Sequence, residues 1–168
     1  MDNKDDYEIC EIEDKSGALN LDSPLINIPG DVLVPWISID HWFAIEKDWD
    51  GGNFKISVNG GAFILIPASA IEVGPYNMTL FPPLTDQGDE WNTNPLASQD
   101  VFSGPLLSWG QSHINLQGIA TAGDTVRLRI DFGLDECSGD IGWYVDDVEF
   151  YYCSAEVPLE VVFKDGFE

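Results

Sequence analysis

From Leu19 onward the sequence is a series of apolar runs, LINI, DVLVPWISIDHWFAI, NFKISV, AFILI, NMTLF, SHINLQGI, TVRLRIDFGL and WYVDDVEFYY, each cut off by Gly, Pro, Asn or Asp. No stretch keeps apolar residues at helical spacing over three turns, which excludes a helical bundle. Short strands with frequent turn residues predict an antiparallel β-sandwich. Alternation sharpens this in TVRLRID: Val126, Leu128 and Ile130 point to one face, Thr125, Arg127, Arg129 and Asp131 to the other. In KISVNGGAFILI the Asn59-Gly60 pair predicts a tight hairpin, because a type I′ turn needs positive φ at both central residues.

At 168 residues, 44% of them hydrophobic, the chain fits one domain with a real core. The expected layout is an acidic, partly ordered lead-in over residues 1–17, the sandwich over 18–153, and a C-terminal tail over 154–168. Residues 82–100, with a Pro pair and four carboxylates, read as a long loop, and long loops in compact domains are often functional.

Seven basic residues against thirty acidic ones give a net charge of −23, which makes nucleic acid and anionic membrane poor partners. No apolar run approaches the roughly 20 residues of a membrane helix, so membrane insertion is not expected. The start MDNKDDYEIC lacks the basic flank and apolar core of a signal peptide. An extracellular location would therefore require the chain to be part of a longer secreted precursor.

Three cysteines cannot all pair within one chain. Cys137 and Cys153 bracket the GWYVDDV strand, and a bridge closing about 15 residues would be worth on the order of 3 kcal/mol in the chain-entropy model. Such a bridge implies an oxidising compartment; the alternative is two buried thiols. Cys10 is then free or pairs outside this chain.

The blocks DHWFAIEKDWDGGNFKISVNGG, GPYN, NPLASQDVFSGP and DECSGDIGWYVDDVEFYYC, in that order, resemble the MAM-like jelly-roll module of secreted bacterial proteins, a choice-of-anchor type domain attached to extracellular peptidases. The resemblance spans roughly residues 18 to 153. It implies a jelly-roll β-sandwich, a secreted, extracellular setting, an accessory rather than catalytic role beside an attached catalytic domain, and often a structural calcium ion. The ending DGFE is similar to a tail of secreted proteins from some Gram-negative bacteria.

Two acidic stretches are the candidate calcium sites. If Val148, Phe150 and Tyr152 face the core, period two puts Asp146 inward and Asp147 outward. An inward ionised carboxylate needs a cation or a set of donors. Calcium is one solution; backbone N–H groups or a Trp indole are the alternative. In AIEKDWDGGN the acids Glu46, Asp48 and Asp50 precede a Gly-Gly pair, in the manner of a calcium loop. A polar turn whose Asp caps its own backbone is the alternative.

His41 and His113 are the only histidines and lie in apparent strands without a nucleophile-elbow pattern, so both read as structural and no enzyme is expected. Of six tryptophans, Trp36, Trp42 and Trp143 fall in strands and read as core, while Trp49, Trp91 and Trp109 fall in or beside loops, where an exposed indole can stack on a sugar ring. The sequence thus points to a calcium-stabilised, non-catalytic module that binds carbohydrate or a protein surface. The alternative is a spacer or folding aid for an attached secreted peptidase.

Overall fold

A computed structural model of the chain describes residues 15–83, 92–135 and 139–154. The described residues form two facing antiparallel sheets and a small strand pair, with no α-helix. Sheet A has the order β1 (Gly17–Asp22), β10 (Thr125–Leu134), β4 (Gly51–Val58), β5 (Ile64–Leu65), with β2 (Ile26–Asn27) also on β10. Sheet B runs β11 (Gly142–Ser154), β3 (Val32–Ala44), β9 (Gly110–Asn115), β6 (Ile71–Val73). The remaining two strands, β7 (Met78–Thr79) and β8 (Asp100–Val101), pair with each other. Consecutive long strands alternate between the sheets: β3 is followed by β4, and β9 by β10 and then β11. The single-domain, all-β sandwich expected from the strand pattern is what forms.

Period two decides which side chains the sandwich buries. On β10, Val126, Leu128 and Ile130 enter the core, as do Phe54 and Ile56 from the paired β4. From sheet B, Ile37, Ile39 and Phe43 of β3 and Ile114 of β9 meet them. Asp131 lies on the outer face with Arg129 as predicted, yet it is buried. Lys55 Nζ stands 2.6 Å from it and Asn20 donates to it at 2.6 Å.

The Asn59-Gly60 turn forms with φ of 52° and 74°. The Gly61 N–H donates to the Val58 carbonyl at 2.9 Å. Pairing between the strands resumes only at Ile64, so the connection is wider than a two-residue hairpin. Asn59 also ties the turn to β10, donating to Asp124 at 2.7 Å and accepting from the Thr125 N–H at 2.9 Å.

The Gly-Gly pair that suggested a calcium bend lies instead inside β4, where its two members serve opposite faces. A side chain at Gly52 would occupy the space of the Trp143 ring in the core. One at Gly51 would come within 2.7 Å of Val101 on the outer face. Glycine is what lets the indole enter from one side and the Val101 side chain of β8 close against the other.

Candidate functional site

The adjacent aspartates of β11 occupy a β-bulge. Asp146 pairs with Asp40 and Glu149 pairs with Ser38, so Asp147 and Val148 together stand against Ile39. The bulge changes the strand's phase: Trp143 and Val145 pack on the core before it, Phe150 and Tyr152 after it. Asp146 therefore faces solvent on the outer side of sheet B, which corrects the inward placement expected from Val148, Phe150 and Tyr152. Its Oδ1 accepts the Asp147 N–H at 2.9 Å, and Asp147 takes φ of 43°, a conformation Asp tolerates better than most residues.

The second acidic stretch is a turn closed by side chains from elsewhere. Ser103 Oγ lies 3.1 Å from the Glu46 carbonyl and 2.6 Å from that of Asp50. Asn92 and Asn94 donate to the Trp49 carbonyl at 3.1 and 2.9 Å. Asp48 takes φ of 75°. The Asp50 carboxylate is buried and accepts the Asp135 N–H at 2.8 Å. Burial pushes its pKa up to about 7, with the negative charges of Asp135 and Glu46 adding to the rise and the Asp135 N–H opposing it.

For calcium, this turn fits in charge but not in number. Among the described residues no three His, Cys, Asp or Glu side chains group as ligands. Asp146 and Asp147 lie at the bulge of sheet B and do not join Glu46, Asp48 and Asp50 in one site. The Cys137 to Cys153 bridge falls outside the described residues, apart from the place of Cys153 in β11 opposite Val34.

His41 is a structural residue of the core. Ser112 Oγ donates to the Gly74 carbonyl at 2.7 Å, so across the 3.1 Å contact with His41 Nε2 the ring N–H is the donor. The Trp143 indole N–H donates to Nδ1 at 3.1 Å. Both ring nitrogens are thus committed in a neutral imidazole. Burial lowers its pKa to about 4, against a weaker upward pull from Asp40. Ser112 is itself fully buried, so the pair is not an accessible nucleophile and base.

The chemistry open to solvent lies on the outer face of sheet B. Alternation along β3 sends Trp36, Ser38, Asp40 and Trp42 to that face, with Gln111, His113 and Asn115 beside them on β9 and Tyr144, Asp146, Glu149 and Tyr151 on β11. At one end Trp42 and Tyr144 lie 5.6 Å apart between ring centroids, and Tyr144 is 52% exposed. At the other end Trp36 stacks with Tyr151 at 6.2 Å and 15°. Trp36 and Trp42, expected in the core, are only partly buried because even-numbered positions of β3 face outward.

Between the aromatic ends runs a chain of hydrogen bonds. Tyr151 O–H donates to His113 Nδ1 at 3.1 Å, His113 Nε2–H donates to Gln111 Oε1, and Gln111 Nε2 donates to Asp40 at 2.6 Å. Asn115 continues the face toward β6, donating to Glu72 at 2.7 Å, beside a shallow depression of about 240 Å³ bounded by Pro67 and Gln117.

Of the three tryptophans expected to bind a ligand, Trp49 is partly buried and packs edge-on against Phe81 at 5.4 Å. Trp91 lies outside the described residues. Trp109 is 55% exposed and immediately precedes Gly110, which pairs with His41, so it stands at the Trp42 end of the same face. No protein-family model matches the chain, and no curated protein matches it either.

Proposed function

We propose that this is a non-catalytic module that binds carbohydrate through the outer face of β11, β3 and β9. The observation that carries the reading is the pair of partly exposed aromatic ends with hydrogen-bonded polar side chains between them on one face. Aromatic rings offer a sugar a flat apolar surface, and amide, imidazole and carboxylate groups offer donors and acceptors to its hydroxyls. In line with the resemblance to MAM-like jelly-roll modules, we take it as an accessory part of a larger secreted bacterial protein, working outside the cell beside an attached catalytic domain.

The test is tryptophan fluorescence and calorimetry against a panel of soluble glycans and cell-wall polysaccharides, comparing the natural chain with Tyr144→Ala. Saturable binding that this exposed substitution weakens supports the reading. No response across the panel overturns it and leaves a spacer for an attached peptidase.

Following the resemblance, calcium stays in the proposal as a stabiliser at the turn that holds Asp50, where the carboxylates among the described residues are too few and carbonyl or water oxygens would have to complete the shell. At about 100 times its dissociation constant, one bound ion adds about 2.7 kcal/mol. A rise in Tm with calcium over chelator, lost in Asp50→Asn, supports the ion; an unchanged Tm removes it.

A further inference from the structure

Resting on that reading, we infer that the ligand is an uncharged, linear glycan lying along β3 and engaging both aromatic ends at once. The ends are Trp42 with Tyr144, and Trp36 with Tyr151. Six residue steps along β3 lead from Trp36 to Trp42, a span of about 20 Å at strand rise, the length of about four pyranose rings. A single sugar reaches one end only. A chain of that length reaches both and passes over Asp40, Gln111 and His113 on the way.

Charge selects the class of glycan. None of the four strands of sheet B contains a lysine or arginine. Asp40, Asp146 and Glu149 line the path, and Asp40 closes the hydrogen-bond chain as its acceptor. Sugar hydroxyls donate to such acceptors, whereas uronates and sulfated sugars meet like charge with no counterion from the strands of this sheet. The hydrogen-bond chain also fixes its side chains in place before any ligand arrives, which lowers the ordering cost of binding.

The experiment is calorimetric titration of the whole chain with cello-, laminari- and manno-oligosaccharides of two to six units, with oligogalacturonate as the anionic counterpart and a lysine oligomer as the basic one. Expected is an affinity for at least one neutral series that climbs from two to four or five units and then levels off. It should be unaffected by raised salt, with no binding of oligogalacturonate. Tyr144→Ala and Trp36→Ala should each weaken the tetramer about tenfold, the effect of losing about 1.4 kcal/mol of contact. Gln111→Ala, an exposed change between the two ends, should weaken it as well and serves if Trp36→Ala does not fold. A neutral glycan that binds equally well at two units and at six overturns the inference but leaves carbohydrate binding standing. Preference for oligogalacturonate or for the lysine oligomer also overturns it. Absence of binding by every oligosaccharide overturns both.

Discussion

Asp50 is the residue whose ionisation opposes the fold. Its folded pKa of about 7 lies above the ordinary carboxylate value, so the folded state holds a proton that the unfolded chain releases near pH 4. Between those two values the folded form binds more protons, and its contribution to stability falls as pH rises. Asp50→Asn keeps an oxygen that can accept the Asp135 N–H and removes the buried charge. It should raise Tm at pH 8 by several degrees, with the gain shrinking toward zero near pH 4, read by calorimetry across that range. His41 has the opposite sign: its folded pKa of about 4 lies below the unfolded value near 6.5, so its neutral core role is fully kept above 6.5 and is lost as pH falls through that interval. A titration of His41 by NMR should show one neutral tautomer, protonated at Nε2, down to about pH 5. A midpoint near 6.5 would contradict the pairing with Trp143 and Ser112.

The element that most shapes the candidate site is the bulge in β11. It was partly legible: Trp143 and Val145 are odd-numbered, Phe150 and Tyr152 even-numbered, and one strand cannot bury both sets without an extra residue between them. The two aspartates sit where that residue must be. Reading the phase from only the later apolar residues turned Asp146 inward. The alternation of β10 and the positive-φ turn at Asn59-Gly60 were legible because each is set by neighbours in sequence. The Asn92 and Asn94 contacts with Trp49 were not, because they join segments more than forty residues apart. If the bulge is the one residue that offsets the two apolar sets, deleting Val148 should leave Trp143, Val145, Phe150 and Tyr152 in a single period-two phase with Asp147 turned inward against Ile39, so unfolding should stay cooperative at a Tm lowered by the buried carboxylate, read by calorimetry. Asp147→Gly should hold or raise Tm, since glycine takes positive φ freely, while Asp147→Val should cost about 1–3 kcal/mol at the same φ. Gly52→Ala belongs at this scale too: its methyl would take the space of the Trp143 ring, so it should lower Tm by more than a surface alanine does.

At the scale of the whole molecule, the net charge of −23 is unevenly laid out. Lys55, Arg127 and Arg129 gather on the outer face of sheet A, where Arg129 pairs with Asp22 at 2.6 Å and Lys55 with Asp131 at 2.6 Å. Sheet B has no basic residue in its strands and sets Asp40 directly across from Asp146, a like-charged cross-strand pair of the kind that destabilises a sheet. Surface repulsion of this sort is screened within about 10 Å at 0.1 M salt and within about 3 Å at 1 M. Raising sodium chloride from low concentration should therefore raise Tm. Asp146→Asn should reproduce part of that rise at low salt and make the remaining salt dependence shallower. If Asp146 were instead a metal ligand, the same substitution would lower Tm in calcium and leave it unchanged in chelator. Measuring Tm for both chains at two salt concentrations, each with calcium and with chelator, separates the two, because screening acts on the like-charged pair whichever divalent ion is present and ligation acts only when the ion is there.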